Sequence, residues 1–291
     1  MKKSILAILL ASAFNAFSQE PVTTFRAYSI YPELVSETFD DTRVVNGHSI
    51  ETNKEGSMKF IIAHRFGLIN GGLYELYGLD QSTIRLGFDY GLTDKITVGV
   101  GRSSFQKTID GFVKFKVLTQ KFKVGTPISL TWLSTSDYNT LKAPYGLEAI
   151  SGKLRWSFTH QMLIAKKFGE RFSIQVMPTF LHRNLTPNSE MNNDIFSIGS
   201  AGRVRLTQML SFKAEYYFTL PDQLTRLKTN SLALGFDIET KHHVFQLHLG
   251  NSRGMTEKFF ISETDGEWDK GDIMLGFNIT RDFQVRGRKY K

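Results

Sequence analysis

An all-β chain closed into a single antiparallel transmembrane barrel of about twelve strands is the fold class this sequence predicts. Three observations carry that reading. Apolar and polar residues alternate with period two over segment after segment. The connections between those segments alternate short and long. The chain also opens with an export leader and contains no cysteine.

The alternation is clearest from Ser82 to Tyr90, where Ile84, Leu86, Phe88 and Tyr90 share one face while Thr83, Arg85, Gly87 and Asp89 share the other. Ile96, Val98 and Val100 oppose Thr97, Gly99 and Gly101; Val113, Phe115 and Val117 oppose Lys114 and Lys116. Leu154, Trp156 and Phe158 oppose Arg155, Ser157 and Thr159, and Ile174 and Val176 oppose Ser173 and Gln175. Phe196, Ile198, Val204 and Leu206 stand against Gly199, Ala201, Arg203 and Arg205. Phe212, Ala214, Tyr216 and Phe218 stand against Lys213 and Glu215. The pattern continues with Leu232 to Ile238 against Ser231 to Asp237, then Phe245, Leu247 and Leu249 against Gln246 and His248. It ends with Ile273, Leu275, Phe277 and Ile279 against Gly276 and Asn278. Ile128-Leu130-Trp132 and a less regular stretch from Met58 to Arg65 complete the set of twelve. An even number suits a single-chain bacterial barrel.

Gly91–Asp94, Gln120–Gly125, Lys166–Glu170, Thr207–Leu210 and Glu239–Lys241 are the short connections. Gly67–Asp80, Ser104–Asp110, Ser134–Ser151, His182–Asn193, Leu220–Lys228 and Asn251–Lys270 are the longer ones. Short periplasmic turns alternating with longer external loops are a habit of outer-membrane barrels. Periodicity does not say which face is inside, and a soluble ligand carrier shows the same alternation with the apolar face inward. Pro178 falls mid-strand, where it cannot donate to the ladder, so a bulge is expected there.

Met1-Lys2-Lys3 followed by an apolar run to Phe14 and small residues at Ala16 and Ser18 predicts a signal peptide, residues 1–18, cut between Ser18 and Gln19. The net charge of +8 is spread along the chain without a basic run interleaved with aromatics, so no nucleic-acid partner is expected. Residues 19–56 precede the wall and carry Val44-Val45-Asn46-Gly47-His48, whose Asn-Gly favours a small hairpin. Two readings of this segment stand: a periplasmic lead-in, or a plug of the lumen. The barrel is assigned to residues 57–283 and a basic tail to 284–291.

Facing into the barrel on this register are Arg85, Lys114, Lys116, Arg155, Arg203, Arg205 and Lys213, against the acidic partners Asp89, Glu215 and Asp237. A basic lining draws anions through the summed field. The alternative is a lattice of cross-strand ion pairs around Arg203, Arg205, Lys213, Glu215 and Asp237, leaving Arg85 and Arg155 to line a passage. Inward glycines at 87, 99, 101, 199, 235 and 276 free volume, admit close approach of backbone, or relieve the bend of the wall. Trp132, Trp156, Tyr216, Tyr90 and Phe218 suit the lipid face and its interfacial belts.

No catalytic residue, metal site or cofactor is expected. Gly99-Val100-Gly101 lies within a strand with no helix after it, and His48, His64, His160, His182 and His248 have no recurrent ligand spacing. His242 and His243 point to opposite faces. An outer-membrane lipid hydrolase would need a serine beside an outward histidine; His160 is outward, and no serine aligns with it by sequence.

Asn46-Gly47-His48-Ser49-Ile50-Glu51-Thr52, His64-Arg65-Phe66-Gly67, Leu76-Tyr77-Gly78-Leu79-Asp80, Ile84-Arg85-Leu86-Gly87 and Asp110-Gly111-Phe112-Val113-Lys114 together resemble an uncharacterised Bacteroidetes-type outer-membrane β-barrel family, a domain of unknown function. The resemblance implies a single barrel in the outer membrane and brings no substrate or catalytic residue. The final strand, Gly271 to Phe283, resembles the aromatic-ended closing strand used by the barrel-assembly machinery, although the basic tail extends beyond Phe283. The function expected is a narrow, porin-like passage for small, anionic solutes. Its alternative is a non-conducting barrel that docks a periplasmic or surface protein through the Asn251–Lys270 loop or the tail.

Overall fold

The computed structural model describes residues 34–122, 125–146, 150–225, 228–241 and 243–286. The signal-peptide expectation, most of the tail and His242 therefore lie outside the described residues. Twelve strands form: β1 (Ser57–Leu68), β2 (Ser82–Thr93), β3 (Ile96–Ser103), β4 (Thr108–Leu118), β5 (Ser129–Asn139) and β6 (Trp156–Phe168). They continue with β7 (Phe172–Arg183), β8 (Asp194–Arg205), β9 (Leu210–Thr219), β10 (Ser231–Glu239), β11 (His243–Gly250) and β12 (Met274–Gln284). Each pairs antiparallel with its sequence neighbour, and β1 pairs with β12 from Ser57↔Gln284 to Arg65↔Gly276, closing the barrel. Closure leaves no unpaired edge, which is the condition for a sheet to exist in lipid.

The inside–outside question is answered by exposure. Along β7, Phe172, Ile174 and Val176 are exposed while the alternating Ser173, Gln175, Met177 and Thr179 are buried. Val100 and Leu247 are 61% and 57% exposed, whereas inward Lys114, Arg203 and Lys213 are fully buried. A soluble carrier does the reverse. An apolar belt of this extent is untenable in water and fits the hydrocarbon of a bilayer. No helix among the described residues is long and apolar enough to cross a membrane, so the strands do the crossing.

Most short turns gather at the end that holds both chain ends of the wall, and most longer loops at the other. Two connections depart from expectation. Residues 119–128 between β4 and β5 make a longer connection than the short turn expected there. Residues 104–107 make a tight turn rather than a long loop, because β4 begins at Thr108, well before Val113. Pro178 makes no bulge. Gln161↔Thr179 and Ile164↔Val176 keep one register on either side of it, and on the β8 side Pro178 still pairs with Ile198. Its missing N–H only interrupts the β6–β7 ladder locally, and its ring faces outward.

The apolar core lies in the lumen. Phe39, Val44, Val45 and Ile50 from the segment before β1 pack with inward Phe112, Leu133, Leu163, Met177 and Tyr217. Inward glycines do not widen this interior. Arg85 lies across Gly87 and Gly101, and a Cβ at Gly101 would sit 2.3 Å from its guanidinium. His248 and Arg65 occupy the space above Gly276 in the same way. Close approach of a neighbouring side chain is thus the role these glycines take.

Candidate functional site: the lumen and its plug

Residues 34–56 enter the barrel from the short-turn end. The chain crosses the rim beside the β2–β3 turn, where Glu55 N–H donates to Asp94 Oδ1 (3.0 Å) and Gly56 N–H to the Gly91 carbonyl (2.9 Å). Inside, it folds back as a hairpin: Arg43 pairs with His48, and Val44 N–H donates to the Gly47 carbonyl at 2.8 Å. The turn is centred on Val45–Asn46, one residue before the Asn-Gly pair expected to form it. Gly47 closes it because nothing larger fits, a Cβ there lying 2.1 Å from the Tyr217 hydroxyl.

The wall holds this hairpin by its backbone. Glu215 on β9 accepts the successive N–H groups of Val45 (3.2 Å), Asn46 (3.1 Å) and Gly47 (3.0 Å). Lys114 on β4 donates to the carbonyls of Thr42 (3.2 Å), Ser49 (3.1 Å) and Glu51 (2.9 Å). Gln175, Gln246 and Asn278 donate to the carbonyls of His48 (2.8 Å), Val44 (2.7 Å) and Val45 (2.9 Å). Buried backbone groups must be paired, and here the wall supplies the partners that a sheet otherwise would.

Charge completes the fit. Asp40 lies 2.7 Å from Arg203 and 3.1 Å from Arg205, and Asp41 lies 2.6 Å from Lys59. Arg43 reaches Asp89 at 3.1 Å, and Lys116 reaches Glu51 at 3.5 Å. Burial alone would raise the Asp41 carboxyl, but Lys59 beside it outweighs burial and holds it at about 2. Asp40 is likewise held below its usual range, with Lys213 and Arg203 overriding burial. Both therefore stay ionised as counter-charges to the wall.

The other end is filled by the β11–β12 loop. It carries a six-residue helix, α1 (Glu257–Ser262), every residue of which is buried. Phe260 packs on Tyr217 with ring centroids 4.9 Å apart, and Arg183 donates to Ser262 Oγ at 3.2 Å. Plug and loop meet where Glu257 Oε1 lies 3.8 Å from His48 Nε2. Burial raises the Glu257 carboxyl to about 7, and burial with Arg43 and Lys114 nearby keeps His48 neutral. The voids left beside Arg43 and Arg85 are about 20 and 10 Å³, room for single waters rather than a passage.

Of the basic positions read from sequence, Lys114, Lys116, Arg203, Arg205 and Lys213 all face the lumen, where plug residues meet them. Lys213 also pairs with Asp237 on β10, so the expected cross-strand lattice exists in that one link. Glu215 is not part of it, being taken up by the plug. Arg85 lines no passage: its Nε donates to Asp110 Oδ1 at 2.9 Å, on the far side of β3. Arg155 is not on the wall at all. β6 starts at Trp156, and Arg155 sits in a turn at the long-loop rim, donating to the Asn139 carbonyl at 3.2 Å. Sequence reasoning missed Lys59, Arg65 and Arg183, whose signals were only their places in the inward phase of β1 and β7.

His160 does have a serine opposite it. Ser134 on β5 pairs directly with His160, and its Oγ lies 2.9 Å from His160 Nδ1 on the lipid-facing wall. Trp132 Nε1 donates to the same Oγ at 2.9 Å. Among the described residues nothing orients His160 Nε2. The three groups satisfy one another, which is what polar side chains facing lipid require. Trp132, Trp156, Tyr216 and Phe218 are exposed on that same outer face, and Tyr90 also points outward.

A closed twelve-stranded barrel with an apolar outer belt and a charged, occupied interior defines a membrane-bound β-barrel protein. The chain belongs to the family of membrane-bound β-barrel domains DUF5777, which matches residues 39–283. The match begins at Phe39, within the plug rather than at β1, so the hairpin is part of the family's domain. The curated proteins offer no match. Among solved structures, the fold is similar to the NanC porin, at 6% identity, covering 78% of this chain and 98% of that one, with a TM-score of 0.49. It is also similar to the COG4313 outer membrane channel from Pseudomonas putida F1, at 14% identity, covering 80% and 98%, with a TM-score of 0.46. Outer membrane phospholipase A from Escherichia coli is similar at 10% identity, covering 79% and 91%, with a TM-score of 0.46. At these identities the likeness is one of barrel architecture.

Proposed function

We propose that this protein is an outer-membrane passage for small anions, held shut by its own N-terminal hairpin. In this orientation the short turns and the plug face the periplasm and the longer loops face outward. The observation that carries the reading is the match between wall and plug. Arg203, Arg205 and Lys59 take carboxylates from the plug, and Lys114 takes three of its carbonyls. The plug thus behaves as a bound anionic ligand, and its departure leaves a basic lining. No enzymatic role is invoked, since among the described residues nothing orients His160 Nε2 in the Ser134–His160 pair. Lipid and the barrel-assembly machinery, reading the strand that ends at Phe283, are the partners this life cycle requires.

Conductance in a planar bilayer tests the proposal. The mature chain should be silent, while a chain lacking residues 34–53 should give discrete steps with an anion-preferring reversal potential. A folded, heat-modifiable barrel that stays silent without its plug would refute it. That outcome would favour the second reading, a non-conducting barrel that docks a partner. Its supporting observation is the β1–β2 loop, where Leu73 and Tyr74 are 75% and 96% exposed.

A further inference from the structure

Above α1 the long-loop end opens into a cavity of about 530 Å³, within the range of small-molecule sites. Part of its lining is apolar: Leu68 from β1, Phe105, Phe259 from α1 and Met274 from β12. Phe105 and Phe259 meet edge to face with centroids 4.9 Å apart, which fixes both rings. Five charged residues, Lys228, Arg253, Glu263, Asp265 and Asp272, also line it, and their partners can be followed one by one. Glu263 lies 3.8 Å from Arg183 and 3.6 Å from Lys258. Lys228 donates to the Glu263 carbonyl at 3.2 Å and lies 3.9 Å from Asp265. Asp272 accepts the Asn70 side-chain amide at 2.5 Å and the Glu267 N–H at 3.2 Å.

Arg253 is different. It lines the cavity and forms no ion pair among the described residues; its backbone carbonyl alone is engaged, by Thr83 Oγ1 at 3.5 Å. A half-buried guanidinium beside aromatic rings, with no carboxylate at ion-pair distance among the described residues, leaves its fork open to an anion. We propose that this outer vestibule binds a small organic monocarboxylate with an apolar body. The carboxylate lies on the Arg253 fork and the body lies against Phe105, Phe259, Leu68 and Met274. A planar carboxylate suits the fork. Glu263, Asp265 and Asp272 around the same space disfavour a multiply charged anion such as phosphate. The binding stands apart from the passage reading; only its role as the first step of uptake rests on that reading.

Phenylacetate titrated calorimetrically into the full-length mature barrel in detergent is the test, with phenylacetamide, acetate and inorganic phosphate as controls. Phenylacetate should bind saturably, and each control about tenfold or more weakly. Arg253→Gln should lose at least about tenfold in affinity and Arg253→Lys recover part of it, because the charge remains without the fork. Phe105→Ala should weaken phenylacetate while leaving heat-modifiability intact. Absence of saturable binding, tighter binding of phosphate, or an unchanged Arg253→Gln variant would each overturn the assignment. Binding by a barrel whose plug-deleted form never conducts would refute the passage alone, and a conducting barrel that ignores phenylacetate would refute the vestibule alone.

Discussion

The Glu215 carboxylate, on β9, accepts the amide hydrogen of Gly47 at 3.0 Å in the middle of the barrel, in company with the two amides before it. Three successive N–H groups converging on one anion form the concave donor set known as a nest. Here the anion belongs to the wall and the nest to the plug. Glu215→Ala leaves three buried donors without an acceptor, at about 1–3 kcal/mol each. The expected result is release of the hairpin, read as loss of hydrogen-exchange protection from residue 39 to residue 51 with the strands still protected. Gly47→Ala should act in the same direction, since its methyl would meet the Tyr217 hydroxyl.

Asp40 offers a second way to loosen the plug. Asp40→Asn removes the charge shared by Arg203 and Arg205. Uncovering a buried charge by deleting its partner costs about 3–5 kcal/mol. Bilayer recordings of this variant should show intermittent openings where the unaltered chain is silent. Continued silence would mean that polar contacts with the backbone suffice to hold the hairpin.

A pH dependence follows from Glu257. Its carboxyl titrates near 7 when α1 is buried, against 4.5 when free. A raised folded pKa means that the docked helix binds the proton more tightly than the undocked one. Docking is therefore strongest below about pH 4.5 and weakens by up to about 3 kcal/mol as pH rises through 7. Exchange protection of Phe259 to Ile261 should fall between pH 5 and pH 8 after correction for intrinsic rates. Glu257→Gln should remove that slope; if it does not, another group governs docking.

Arg85 separates the wall's stability from its selectivity. Because Arg85 lies over Gly87 and Gly101 against Asp110, Arg85→Glu sets like charges together in a buried place. The expected effect is a lower unfolding temperature of the barrel, with Arg85→Met milder than Arg85→Glu. A stable Arg85→Glu barrel that shows altered ion preference once residues 34–53 are also removed would show instead that the side chain faces a passage.

The wall could be read from sequence because its rule is local. Which face of Ser82 to Tyr90 is apolar depends on nothing outside those residues, and a lipid belt needs only that regularity. The lumen follows no such rule. Nothing near Asp40 says that it meets Arg203, and nothing near Asn46-Gly47 says that the turn shifts by a residue so that Glu215 can take its amides. Ser134 faces His160 only because the β5–β6 register brings those two residues together, and register depends on turn geometry that alternation leaves open. Pro178 misled for a related reason. A missing donor can be absorbed by a gap in one ladder when the other side of the strand stays paired.

The crossing of the rim at residues 54–56 has a kinetic consequence. Only a few residues, pinned to the β2–β3 turn, separate the hairpin from β1. A hairpin that leaves the lumen cannot diffuse away; it waits at the mouth at an effective concentration in the millimolar range. A soluble anion competing for Arg203 and Lys114 must therefore outbid a neighbour that never leaves, and each opening ends on the timescale of loop closure rather than of molecular encounter. Lengthening that tether, with no contact altered, should prolong the open intervals.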